Sequence, residues 1–389
     1  MADSVEEHFQ RIPYRPATDG KVEIHSGLSR HYPTLHGNLV TPAAYPRDLA
    51  VLMAHPASNF LSHFLVRAFA DAGIPIMAMN TRYAANEAAL LMERAAEDLG
   101  AGVRWLREHH GFARVVLLGF SGGGPLMSFY QSQAERPTIT TTPTGDTVAL
   151  DQLVPADGLM LVGAHPGRAR VLRHWIDPAV VDENDPYRTD PALDLYAPER
   201  TVPLPADWVA EYRAAQLARM RRIDDFAQEQ LTRGAGNPGA DRAFVVHRTV
   251  ADPRFVDITI DPSDRVPGSL YGDPRTANWA AGGLARFVTA RSWLSTWSDD
   301  HSQAAAATDL AAVTAPTLVL ALRGDQAAFV SESREMHTAS ADPRAELIEL
   351  PDLTHYLVDQ PGGTAQIVDQ VRSWLVRREL AAERSVAGR

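Results

Sequence analysis

Short apolar runs alternate with segments of helical periodicity along this chain, and that alternation limits the possible folds more than any other feature. The runs are LAVLMA (49–54), IPIMAM (74–79), VVLLGF (115–120), GLMLVG (158–163), TLVLAL (317–322) and AELIEL (345–350). Runs of this length and hydrophobicity suit strands buried on both faces of a sheet. Between them the spacing predicts helices over 59–72, closed by Gly73, and over 86–109, where Leu91, Ala95, Leu99, Val103 and Leu106 share one face. Further helices are predicted after residue 121, near 331–340, and at the end, where Ile367, Val371, Trp374 and Leu375 align. Strand–helix alternation of this kind implies a largely parallel central sheet with helices on both faces.

The rhythm breaks once. Residues 164–310 are rich in Pro, Asp and Arg and contain one long amphipathic segment near 205–232, carrying Trp208, Tyr212, Met220 and Ile223. A pair of short strands is expected there at AFVVHRTV and FVDITI. The chain therefore divides into 1–163, a first part of an α/β core, then 164–310, an insertion, and 311–389, the second part of that core. The polar stretch TITTTPTGDT (138–147) is expected to be a surface loop.

Composition excludes whole classes of chemistry. There is no cysteine among 389 residues, which removes disulfides, thiolate metal sites, iron–sulfur clusters and a cysteine nucleophile together. The net charge of −11 argues against nucleic acid and anionic membrane surfaces as partners. The opening MADSVEEHFQRIPYR is acidic and lacks an apolar core, and no run of eighteen apolar residues occurs, so a soluble cytoplasmic protein is expected.

The chemistry concentrates at Gly119-Phe120-Ser121-Gly122-Gly123, a G-x-S-x-G string lying between a buried strand and a helix. That is the setting of a nucleophile elbow, where a strained turn lifts the serine hydroxyl above the sheet edge and the next helix begins beneath it. The helix N-terminus favours a developing oxyanion. A dinucleotide fingerprint would need glycine at 121, so it fails. A serine needs a base. Of fourteen histidines, His355 lies in the loop DLTHYL between the last strand and the last helix, at the same sheet edge as the elbow. Asp325, in the turn Arg323-Gly324-Asp325 after TLVLAL, suits the orienting carboxylate, with Glu332 as the alternative. Asn80 and Arg82 follow one strand and His165 another, and ligands of open α/β sheets bind at such strand ends. Arg82 could hold a substrate carboxylate or be paired with an acid such as Glu87. The acidic run Asp182-Glu183-Asn184-Asp185 has no calcium-loop spacing.

With its order Ser121…Asp325…His355, the chain resembles the α/β-hydrolase fold superfamily, in particular its serine esterases with a large, mainly helical lid inserted after strand 6. The resemblance covers residues ~25–163 and ~310–380. It includes His55-Pro56 at the end of LAVLMA, where the family usually shows His-Gly. It implies oxyanion-hole N–H groups from Gly122 and from Ala57, with Ser58 as the alternative donor, and a structural role for His55 in holding that loop. It also implies a carboxylic ester hydrolase acting through an acyl-enzyme on a small or medium, fairly hydrophobic substrate. Lactone, amide or C–C bond hydrolysis by the same triad, or ligand binding without catalysis, are the alternatives. Ser58, Arg82 and His165 are the candidate substrate-contacting residues. No metal or cofactor is expected, the partner being a small-molecule substrate, and exposed lid helices could support a homodimer.

Overall fold

The computed structural model describes residues 5–13, 35–237 and 239–381. The opening MADSVEEHFQRIPYR, on which the expectation of a soluble cytoplasmic protein partly rests, lies in part outside these residues, as do portions of the first and last chain segments delimited above.

Eight strands form one sheet in the order β1-β2-β4-β3-β5-β6-β9-β10. Its members are β1 (Val5–Ile12), β2 (Leu35–Pro42), β3 (Leu49–His55), β4 (Ile76–Asn80), β5 (Arg114–Phe120), β6 (Gly158–Val162), β9 (Thr317–Leu322) and β10 (Glu346–Leu350). The six apolar runs of the sequence are the last six of these strands, and every pairing among them is parallel. The two edge pairings, β1 with β2 and β2 with β4, are antiparallel.

Alternate side chains of the inner strands feed two cores. Leu52, Leu117 and Leu159 point to the face covered by α2 (Met92–Arg104) and α3 (Gly123–Glu135). Val51, Val116 and Met160 point to the other, covered by α1 (Phe64–Asp71) and the C-terminal helix α10 (Gly363–Arg377). Burial on both faces is why the runs of the inner strands lack a polar alternation, whereas AELIEL, at the sheet edge, carries Glu346 and Glu349. The first helix is shorter than its periodicity suggests. Asn80 accepts the Phe60 N–H through its side-chain oxygen, and His63 caps α1 by accepting the Leu65 N–H, so residues 59–63 are a loop.

Between β6 and β9 lie α4 (Arg168–Trp175), the long α5 (Ala206–Gly234), β7 (Ala243–Val245), α6 (Pro274–Trp279), β8 (Phe287–Thr289), and the short α7 (Ala290–Ser292) and α8 (Ala306–Leu310). Here one expectation is corrected. The strand in AFVVHRTV pairs antiparallel with Phe287–Thr289, not with FVDITI. Residues of FVDITI form tight turns instead, because the Asp252 and Asp257 carboxylates cap them by accepting the Arg254 and Thr259 N–H groups. The segment has a core of its own around Met220, Ile223, Trp293 and Trp297. A second cluster, with Val171, Trp175 and Phe255, packs on Ala327 and Phe329 just beyond β9. The remaining helix, α9 (Val330–Ala339), precedes β10. Among the described residues no helix is long and apolar enough to cross a membrane.

Candidate active site

Ser121 sits on the turn from β5 into α3 with φ of 55°, a left-handed conformation that a non-glycine residue adopts only under constraint. The constraint is visible on both sides. The Ser121 N–H donates to Val162 O at 3.3 Å, and its carbonyl accepts from the His165 N–H at 3.1 Å and the Gly124 N–H at 3.0 Å. The turn is tight enough that a β-carbon on Gly119 would lie 2.5 Å from Gly124 Cα. Glycine at 119 is thus a requirement of backbone approach.

The loop between β10 and α10 brings His355 to this turn. Its Nε2 is 3.0 Å from Ser121 Oγ, and its Nδ1 is 2.7 Å from Asp325 Oδ2. Asp325 is held in turn, since its Oδ1 accepts the N–H groups of Ala327 and Ala328 at 2.7 and 3.0 Å. A carboxylate fixed this way takes the Nδ1–H of His355 and leaves Nε2 as an acceptor for the serine proton. Asp325 and His355 are both buried. Glu332, the alternative acid, is elsewhere: it pairs with Arg254 at 2.9 Å and accepts the Phe329 N–H.

His165, just beyond β6, places its Nε2 3.1 Å from the same serine oxygen. Because Ser121 donates to His355, this second imidazole must donate to Oγ, which puts its proton on Nε2. Its Nδ1 is buried without a partner, as suits an unprotonated nitrogen. Burial, with smaller contributions from His355 and Arg168, lowers the His165 pKa to about 3.

The loop after β3 departs from expectation. The Ala57 N–H, expected to face an oxyanion, donates to His55 Nδ1 at 3.1 Å, and the Ser58 N–H donates to the same atom at 2.8 Å. Pro56 has no N–H to offer. The cause is the inward rotation of the His55 ring over its own loop, where Thr81 Oγ1 also ties down the Pro56 carbonyl. Gly122, by contrast, is the N-cap of α3, beside the first helical N–H groups, which have no intrahelical acceptor.

No protein-family model matches the sequence, and no curated protein matches it significantly. Solved structures do resemble it. A hypothetical protein of Pseudomonas aeruginosa aligns over 96% of this chain and 95% of its own, with TM-score 0.51 and 13% identity. The alpha/beta hydrolase GrgF from Penicillium sp. sh18 aligns over 96% and 99%, with TM-score 0.50 and 12% identity. The chain has the α/β-hydrolase fold. An esterase domain of a Rhodothermus marinus protein also aligns, over 96% and 98%, at TM-score 0.46 and 11% identity.

In this α/β-hydrolase fold the cavity at Ser121 is small, about 180 Å³. It is lined by His55, Ser58, Ser121, Gly122 and His165, and on its far side by Trp175, Tyr271, Leu284, Trp297 and Tyr356. Arg168 and Glu87, which the sequence did not single out as contact residues, also line it and form an ion pair with each other. The Arg168 guanidinium lies 4.8 Å over the Trp297 ring. The one available signal was position: Arg168 is three residues beyond His165, at the same strand end. Of the tryptophans in residues 164–310, Trp175 and Trp297 reach the cavity, while Trp293 packs in the core of that segment and donates to Asp224.

Arg82 is a correction. It is buried away from the cavity, with Nη2 2.7 Å and Nε 3.1 Å from Asp98 Oδ1 and its own N–H on Asp98 Oδ2. The α2 helix turns Asp98 under the strand end, and that carboxylate captures the guanidinium. Asn80 has a loop-holding role through Phe60 and Asn59. In the acidic run, Glu183 pairs with Arg219 at 2.7 Å. Among the described residues, no group of three or more His, Asp or Glu side chains could hold a metal ion.

Proposed function

We propose that the protein is a serine hydrolase that cleaves a carboxylic ester through an acyl-enzyme. The observation that carries this reading is the unbroken hydrogen-bonded chain from Ser121 through His355 to a doubly anchored Asp325. Ser121 Oγ attacks the ester carbonyl while His355 Nε2 takes its proton. His355 then returns that proton to the departing alcohol, and water, activated by the same imidazole, releases the acid. Asp325 fixes the His355 tautomer and stabilises the imidazolium. The Gly122 N–H, at the start of α3, faces the developing oxyanion.

Residues 164–310 serve as the cap, since Trp175, Tyr271, Leu284 and Trp297 all come from that segment to enclose the serine. A cavity of about 180 Å³ is below the size usual for drug-sized ligands and favours a small acyl group. Its apolar wall accommodates hydrocarbon, and Arg168 with Glu87 gives it one polar end. Lactone, amide and C–C bond hydrolysis use the same triad. The polar end favours those alternatives only for substrates that carry an acceptor group remote from the scissile bond.

The test is turnover of short-chain p-nitrophenyl esters by the native protein and by Ser121→Ala. Loss of turnover in the variant is expected, and an undiminished rate would remove the assignment.

A further inference from the structure

We propose that the side chain of His55 is a donor of the oxyanion hole, its Nε2–H acting where a second backbone N–H was expected. The inference rests on the serine hydrolase reading above and deepens it.

The first support is the tautomer. His55 Nδ1 accepts two backbone N–H groups, from Ala57 at 3.1 Å and from Ser58 at 2.8 Å. A nitrogen that accepts cannot carry the proton, so the proton is on Nε2. The same two bonds turn the Ala57 and Ser58 N–H groups away from a substrate, and Pro56 lacks one. The loop after β3 therefore has its donor capacity relayed through the imidazole.

The second support is position. His55 lines the cavity beside Ser121 and Gly122. A β-carbon on Gly122 would fall 2.7 Å from His55 Nε2. Gly122 has φ of −64°, a conformation open to any residue, so glycine is not needed there for backbone freedom. It is needed because the imidazole edge occupies that space. The Nε2 edge of the imidazole thus lies against Gly122, the residue after the nucleophile, in the wall of the same cavity. Burial, then the positive charge of Arg168, holds the His55 pKa well below its ordinary value, so the ring stays neutral. His165 does not compete for this role, because its own Nε2–H is on Ser121 Oγ.

In the reaction the Oγ–C bond forms as the carbonyl π pair moves to oxygen and the serine proton moves to His355. The new oxyanion accepts from Gly122 N–H and His55 Nε2–H. Collapse reforms the C=O bond and expels the alkoxide, which takes the proton from His355. His55 donates a hydrogen bond throughout and transfers no proton.

Two side-chain amides separate this role from loop holding. In His55→Asn the amide oxygen stands near the Nδ1 position and can still accept the loop N–H groups, but the Nε2 donor is gone. In His55→Gln the amide NH₂ stands near the Nε2 position. Each full-length variant is titrated with a fluorophosphonate, and its labelling is followed to saturation. The expectation is a fall of about 10²-fold or more in the limiting labelling rate of His55→Asn, with half-saturation changed less than about three-fold. His55→Gln should recover part of that rate. Equal limiting rates for His55→Asn and the native protein would overturn the proposal and leave the serine assignment intact, whereas labelling that persists in Ser121→Ala would overturn the serine reading itself. Should His55→Asn not fold, the same comparison is made on Gly122→Ala, whose methyl group displaces the imidazole. A native limiting rate there equally overturns the proposal.

Discussion

Ser121 Oγ and His165 Nε2 are hydrogen-bonded at 3.1 Å, so the serine oxygen is shared between two imidazoles, the other being His355 at 3.0 Å. Only His355 has a carboxylate behind it, which in the proposed reaction makes it, and not His165, the acceptor of the serine proton.

The two histidines are expected to be unequal. His355→Ala should lower the rate on p-nitrophenyl butyrate by about 10²–10⁴-fold, the range of a lost general base. His165→Phe removes one donor to Oγ and should cost roughly ten-fold, the equivalent of one hydrogen bond. Initial rates measured side by side check the order. A larger loss from His165→Phe would mean that the base has been assigned to the wrong ring.

The two arginines at strand ends should also separate. Asp98→Ala removes the nearer of the two carboxylates beside the buried Arg82 guanidinium, leaving Glu97 at 3.7 Å, and should cost about 3 kcal/mol in urea unfolding. Where that variant is folded, its preference between acidic and neutral esters should be native. Arg168→Gln, in the cavity, should shift that preference. A selectivity change in Asp98→Ala but not in Arg168→Gln would contradict the placement of both.

Acid should destabilise the fold through buried neutral histidines. Burial lowers the His63 pKa from the ordinary 6.5 to about 3. Between those values the unfolded chain binds a proton that the folded chain does not. Stability is therefore full above pH 6.5 and is lost as pH falls toward 3, by about 1.4 kcal/mol per pH unit for this one group. His63→Asn retains an acceptor for the Leu65 N–H, which asparagine provides well at a helix start, and removes the titration. Urea midpoints at pH 6 and pH 4 should converge in the variant relative to the native protein. A parallel pair of slopes would show that His63 titrates normally in the fold.

Much of this architecture was legible because buried parallel strands leave a plain mark. LAVLMA has no polar residue and TLVLAL only its first, Thr317, since both faces of β3 and β9 are covered. The elbow was legible for a related reason: a strand, a strained turn and a helix must follow one another without a gap, and backbone approach at Gly119 demands a small residue. What could not be read was direction. His55, Ala57 and Arg82 were correctly placed at strand ends, yet whether a group points into the cavity depends on partners distant in sequence or on a ring rotation. Asp98, one face of a helix away, turned Arg82 inward. The inward His55 ring took the Ala57 N–H for itself. The strand partner of Ala243–Val245 was missed because it lies past two turns and a helix, at Phe287–Thr289, where no local pattern marks it.

The central claim is that Ser121 is a nucleophile activated by His355 and Asp325. Peptide mapping by mass spectrometry after fluorophosphonate treatment of the intact protein tests it most directly. One adduct is expected, on the peptide bearing Ser121, absent from Ser121→Ala and formed at least about 10²-fold more slowly in His355→Ala. An adduct at another residue, or none on a folded protein, would contradict it.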